Sequence, residues 1–501
     1  MQRHAYKQTR AGKDQGMIIQ EGVRGTMDTR LYINGEWKPA EKGTFAVINP
    51  ANGEQIGSAA DGGRIETKQA IHAAEAALPK WSALTAQERA GYLKEMHRLM
   101  MEKQDELGEL ITKEMGKPLQ EAKGEIAYAA SFLEWFAEEA KRVYGKTIPA
   151  SNENKRMMVI KQPVGVVGAI TPWNFPQGMV TRKVAPAIAA GCTVVLKPGE
   201  DTPFSAVKFA EICEEAGLPK GVFNVVTGES ASEIGEEMME HEVVRKITFT
   251  GSTEVGRLLM KQGAEHIKKL SLELGGHAPI IVLDDADIDK AVAGAIASKF
   301  RNAGQTCVCG NRIYVQKDIY ETFVEKFQAA AEKLTVGDGM QKGVDIGPLI
   351  NKDGYEKVDR HVKDAVSKGA ELVTGGEGYE ESGAYFYEPT VLKNMTSDMV
   401  IMEEETFGPV APVQKITSDE EGIRLANNSK YGLAAYFFTE NMSRGMKVAE
   451  GLEFGIVGWN DGVPSAAQAP FGGWKQSGLD REGGSEGIEA FVETKYISMG
   501  L

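Results

Sequence analysis

Apolar positions recur at three- and four-residue spacing over residues 66–80, 86–115 and 118–143. That period places them on one face of a 3.6-residue turn and predicts three amphipathic helices, punctuated by Gly116, Pro118 and Gly145. Tyr128, Phe132, Trp135 and Phe136 in the third helix read as core. Upstream, LYINGEWK (31–38) alternates around Asn34-Gly35 and predicts a hairpin, and NPANGE (49–54) forms a second turn cluster. From about residue 158 the texture changes. The β-branched runs VGVVGAI (164–170), TVVLKP (193–198), FNVVTG (223–228) and KITFTG (246–251) alternate with helical stretches near 177–190 and 203–216. Strands and helices in alternation predict parallel βαβ units, a doubly wound α/β sheet whose ligands sit at the carboxyl ends of the strands.

After KKLSLELGG (268–276) and APIIVLDDAD (278–287) a second alternating region runs from a helix at 287–302 through RIYVQ (312–316) and a helix at 320–334 to about residue 440. The glycine pair Gly275-Gly276 marks the boundary between the two units. The ending GIEAFVETKYISMGL suggests a strand, paired with another subunit's sheet edge or internal to the chain. Residues 1–27 carry five Lys or Arg against Asp14 and Glu21, with little apolar periodicity, and read as a loosely ordered extension.

Length supports this division, because 501 residues exceed the ~250–300 at which a single core stops growing. The net charge of −14 argues against a nucleic acid or an anionic membrane as partner, since both require a basic footprint. No apolar run approaches the ~18 residues of a membrane span. Four cysteines, without zinc-ligand or small-scaffold spacing, fit a reducing compartment, and the cytoplasm is the expected location. No motif supports a metal.

Chemistry concentrates at the strand ends. TPWNF, KPGE and TGSTEVG follow three of the four runs. TGSTEVG opens a helix, so Ser252 or Thr253 can meet a phosphate there or merely cap it, and the spacing is not G-x-G-x-x-G. Lys197 stands where a ribose hydroxyl would lie, or is a surface lysine beside a turn. Glu273, ahead of the glycine pair, has the placement of a general base facing a cleft, with an ordinary backbone partner as the plainer reading. Glu405 in EETFGP can accept from a diol or cap a turn. In FRNAGQTCVCGNR (300–312), Cys307 is a candidate nucleophile, although cysteines are often just small buried residues.

TPWNFP, KPGEDTP, FTGSTEVG, LELGG, GQTCVC, EETFGP and PFGG, in this order, resemble the aldehyde dehydrogenase superfamily from about residue 30 onward. The resemblance implies Cys307 as nucleophile, Asn174 as oxyanion donor and Glu273 as the base that activates water for thioester hydrolysis. It implies a nicotinamide cofactor held by Trp173, Lys197, Glu200, Gly228, Gly251, Ser252, Leu274, Glu405 and Phe407. Glu200 places a carboxylate near the adenosine 2′ position, where it accepts from a hydroxyl and repels a phosphate, so NAD is expected over NADP.

VTRK, KFRNAGQTCVC and Ser465 resemble the succinate-semialdehyde branch, in which Arg182, Arg301 and Ser465 would hold the distal carboxylate of a small anionic aldehyde. Either arginine could instead be a structural ion-pair partner. A related semialdehyde such as glutarate semialdehyde, a general aldehyde, and a non-catalytic binding protein on the same fold are the alternatives. The CVC pair resembles a thiol pair in which Cys309 is a possible redox partner of Cys307. The implied layout is a Rossmann-like cofactor domain (28–143 and 164–275), a second α/β catalytic domain (276–476) and an oligomerisation element (144–163 and 477–501) that forms a homodimer or homotetramer.

Overall fold

In the computed structural model, which describes residues 27–501, five strands run parallel in one sheet. Their spatial order is Lys269–Glu273, Val244–Thr250, Val166–Ile170, Thr193–Lys197, Phe223–Val225. Numbered along the chain this is 5-4-1-2-3, so the winding reverses between Val166–Ile170 and Val244–Thr250. A crevice opens beyond the carboxyl ends of such a pair, because the segments leaving the two strands diverge. TPWN and GSTE are those segments.

The hairpin Leu31–Ile33 and Glu36–Lys38 extends the sheet antiparallel at one edge, with Asn34 and Gly35 both at positive φ (56° and 67°), as a tight primed turn requires. Gly478–Leu479 pairs with Leu272–Glu273 at the opposite edge. Residues 478 and 479 thus add a short edge to this sheet before the chain goes on.

The first four helices are Arg64–Ser82, Ala86–Glu102, Gln104–Met115 and Leu119–Glu139. The single helix expected over 86–115 is two, broken at Lys103 (φ −97°, ψ 15°). Its apolar spacing gives no sign of the break because Leu99, Met100, Leu107 and Ile111 all pack into one core. Phe132 and Phe136 are buried there as expected.

The second unit is a seven-stranded sheet in the order Glu371–Thr374, Thr390–Lys393, Val410–Ile416, Gly310–Gln316, Ala278–Val282, Ala434–Phe438, Ile456–Trp459, parallel except at the first strand. Asp287 caps the helix Ile288–Phe300 by accepting from the Asp289 and Lys290 N–H groups. That helix stops before residue 302, because Asn302, Ala303 and Gly304 all take positive φ (53°, 54° and 72°).

A small sheet joins Val492–Gly500, Lys155–Pro163 and Lys146–Ile148. The tail strand thus finds its partner within the chain, and its other edge is open among the described residues. The basic extension lies outside the described residues except for Met27, which pairs with Gly57. No described helix is long and apolar enough to cross a membrane.

Candidate active site

The crevice at the winding reversal is a cavity of about 350 Å³. Trp173 and Asn174 line it from the first strand end, and Gly251 and Ser252 from the fourth. Leu274 comes from the fifth, while Cys307, Glu405 and Phe407 reach across from the second unit. Ser252 caps the helix Thr253–Gly263, its hydroxyl accepting from the Val255 N–H at 3.2 Å. A helix start leaves its first N–H groups without intrahelical acceptors, so an anion is favoured beside them.

Glu405 Oε1 accepts from the Gly276 N–H at 3.0 Å, and a Cβ on Gly275 would meet Glu405 Oε2 at 2.9 Å. Burial raises the Glu405 carboxyl to about 7. Phe407 holds a left-handed backbone (φ 59°), with Trp173 edge-on to its ring at 5.6 Å. His361 steadies this loop from behind through Thr406 Oγ1 and Glu404 Oε2, both at 3.2 Å.

A second cavity, about 330 Å³, contains Arg182, Arg301, Ser465 and Tyr128. Tyr128 packs against the core as expected and also lines this opening. Cys307 lines both cavities and forms their junction. Burial pushes its thiol up to about 12, against the pull of Arg182.

The two arginines differ. Arg182 donates through Nε (2.8 Å) and Nη2 (2.6 Å) to Glu482 Oε2 and lies 3.9 Å above the Phe471 ring. It is therefore already paired, as the alternative of a structural ion-pair partner had it. Lys183 binds the other Glu482 oxygen. Against the cost of burial, Lys183 and Arg182 hold the Glu482 carboxyl down at about 2. Arg301 has no ion-pair partner among the described residues, and its Nε is buried without an acceptor. Glu121 lines the same cavity and accepts from the Asn302 N–H at 2.8 Å.

Asn174 is anchored through its backbone carbonyl, which accepts from Lys117 Nζ (2.8 Å) and Asn302 Nδ2 (3.1 Å). Its side-chain Nδ2 donates to the Gln305 carbonyl at 3.0 Å, two residues before Cys307. Glu273 ends the fifth strand, but its carboxylate lines neither cavity: both oxygens are buried without hydrogen-bond partners, Oε1 against Gly472. The expectation of a cleft-facing carboxylate fails for this rotamer, and a side-chain rotation is needed to bring it to Cys307. Burial, then the neighbouring Glu482, raises its pKa far above the ordinary value.

Lys197 Nζ pairs with Glu200 Oε2 at 2.7 Å, outside both cavities. Gly228 sits against the Gly62 backbone, where a Cβ would meet the Gly62 oxygen at 2.4 Å. Cys309 is fully buried and lines neither cavity, and all four cysteines are free. Glu482, Lys117 and Glu121 escaped the sequence reading; the REGG turn, which gives Glu482 a buried acid between glycines and an arginine, was the one available signal.

The sequence profile of the aldehyde dehydrogenase family matches residues 37–497. The chain belongs to the aldehyde dehydrogenase family. Succinate-semialdehyde dehydrogenase [NADP(+)] of Escherichia coli is 57% identical over 94% of this chain and 98% of that protein. A glutarate-semialdehyde dehydrogenase of Pseudomonas aeruginosa is 56% identical over 94% and 97%. A solved succinate-semialdehyde dehydrogenase from Burkholderia pseudomallei shares 53% identity and a TM-score of 0.93, covering 94% of this chain and 98% of its own. This aldehyde dehydrogenase is accordingly an NAD(P)-dependent oxidoreductase that oxidises an aldehyde.

The first cavity fits a dinucleotide on its own chemistry. Ser252 and the following N–H groups suit a pyrophosphate, and the Glu405 carboxylate, lining the same cavity, suits a ribose diol.

Proposed function

We propose that this aldehyde dehydrogenase oxidises succinate semialdehyde to succinate with NAD. The observation that carries the substrate assignment is Arg301, a cation that makes no ion pair among the described residues, in the cavity it shares with Cys307. A guanidinium with a buried N–H still lacking an acceptor, beside a nucleophile, selects an aldehyde whose far end is anionic, and Ser465 supplies a further hydrogen bond.

In this reading the Cys307 thiolate attacks the aldehyde carbon, and Arg182 and Arg301 favour the thiolate electrostatically. The Asn174 amide and the Cys307 N–H receive the oxyanion, for which Asn174 exchanges its bond to Gln305. The cofactor, when bound, accepts the hydride. Glu273 rotates toward the thioester and takes a proton from water, a role suited to a carboxyl with a raised pKa. Glu405 and Lys197 hold the riboses, Ser252 the pyrophosphate, and Trp173, Leu274 and Phe407 enclose the nicotinamide end, with Gly228 and Gly251 allowing close backbone approach. Glu200 accepts from the adenosine 2′-hydroxyl.

Comparison of kcat/KM for succinate semialdehyde, glutarate semialdehyde and propanal, each with NAD and NADP, tests the assignment. Succinate semialdehyde with NAD should lead; propanal equal to the oxo acids would overturn it. Glutarate semialdehyde is the second reading, supported by the 56% identical relative. Association into a homodimer or homotetramer, for which the open edge of Val492–Gly500 is available, predicts a light-scattering mass of a multiple of 54.3 kDa. A monomer would exclude it. Four free thiols suit the cytoplasm.

A further inference from the structure

Lys299 lies at the end of the helix Ile288–Phe300 with its side chain fully buried. Its Nζ reaches Cys309 Sγ at 3.1 Å and Asn311 Oδ1 at 2.9 Å, and no described carboxylate pairs with it. Buried lysines ordinarily require an acidic partner. Here a sulfur occupies that place, in a thiol for which the proposed catalytic sequence has no use.

We propose that Lys299 and Cys309 are a redox modification site, joined by a sulfur–nitrogen bond when the protein meets a peroxide. Hydrogen peroxide is close to water in size, and the neighbouring Thr306, Cys307 and Val308 line the 330 Å³ cavity through which it would arrive. In the first step Cys309 sulfur takes one peroxide oxygen: the S–O bond forms, the O–O bond breaks and water leaves. Sulfur is oxidised by two electrons and the peroxide is reduced by two. In the second step the nitrogen lone pair of Lys299, in its amine form, attacks the sulfenyl sulfur. The N–S bond forms, the S–O bond breaks, and the hydroxyl departs as a second water with one amine proton. Thiol, amine and peroxide thus give one sulfenamide and two waters, and the chain loses two hydrogens. A small thiol reverses the link by attacking sulfur and returning a proton to the amine.

The bond closes a ring over residues 299–309, which contains Arg301 and Cys307. It is shorter than the 3.1 Å contact, so the Cys309 end of the loop must shift toward the helix. Misplacement of a reacting group by about 1 Å costs on the order of 10²-fold in rate, so the link acts as a brake. The chemical link itself does not depend on the substrate assignment.

Peptide mapping of the full-length protein after hydrogen peroxide treatment and alkylation of the remaining thiols tests the proposal, in wild type and in Cys307→Ser. Both should yield a species joining Lys299 to Cys309, lighter by two hydrogens and lost on dithiothreitol treatment; Lys299→Arg should not. The Cys307→Ser protein decides the matter even if Lys299→Arg fails to fold. Oxygen addition alone at Cys309 in Cys307→Ser, or a two-hydrogen loss that maps only to a Cys307–Cys309 disulfide, would overturn it.

Discussion

Alanine at Arg301 and alanine at Arg182 should give different kinetic signatures, although both side chains enter the cavity beside Cys307. Arg301 makes no ion pair among the described residues, so its removal leaves an incoming carboxylate only Ser465 and an arginine already shared with Glu482. A hydrogen bond to a charged group contributes about 1.5–3 kcal/mol, and each 1.4 kcal/mol is tenfold. Arg301→Ala should therefore lower kcat/KM for succinate semialdehyde by roughly 10- to 150-fold, mainly through KM, and leave propanal within about threefold.

Arg182→Ala acts on the protein itself. It leaves Glu482 with Lys183 alone, beside Glu273, and breaking a buried pair costs about 3–5 kcal/mol. Both aldehydes should suffer and Tm should fall. Initial rates of NADH formation for each aldehyde, paired with thermal melts of each variant, make the comparison. Equal losses on the two aldehydes for Arg301→Ala would refute the carboxylate anchor. A loss confined to the anionic aldehyde at unchanged Tm for Arg182→Ala would refute the structural assignment of its ion pair.

Cys307, pushed up to about 12, is a thiol at neutral pH in the free enzyme, so its alkylation by iodoacetamide should quicken about tenfold per pH unit from 7 to 10; a plateau near pH 8 would show a lower pKa. Glu273 must be ionised to act as base, and its raised pKa moves that limb upward, so kcat should climb through neutral pH into the alkaline range. Glu273→Gln should keep a first-turnover burst of NADH while steady turnover falls about 10²- to 10⁴-fold, and loss of the burst would place Glu273 before hydride transfer. Asn174→Ala should cost roughly 10²–10³ in kcat with little change in KM; a KM effect alone would make it a binding residue. Glu200→Gln should narrow the NAD:NADP ratio of kcat/KM by removing a charge near the 2′ position, and an unchanged ratio would detach Glu200 from cofactor choice.

Local signals carried most of the architecture. Asn34-Gly35 specifies its turn alone, and β-branched runs between helices specify parallel strands wherever they occur. Strand-end motifs could be grouped because a doubly wound sheet brings those ends to one crevice. Contacts distant in sequence were illegible: Glu482 lies 300 residues from Arg182, and nothing near Arg182 announces a buried partner. Rotamers were equally hidden, so the position of Glu273 was readable and the direction of its carboxylate was not. Lys299 is only ten residues from Cys309, yet helical periodicity describes its backbone and says nothing of where a long side chain ends. The break at Lys103 escaped because both helices serve one core.

The three successive left-handed residues between Arg301 and Cys307 have a bearing on how specificity can change. Asn302 fastens that turn through Glu121, Asn174 and the Gln305 carbonyl, so the cation and the sulfur are mounted on one stiff piece. The span between them is a ruler of fixed length. A chain that must accept one more methylene cannot stretch it, and has to make room through other residues that line the cavity, such as Val463, leaving the measuring edge untouched.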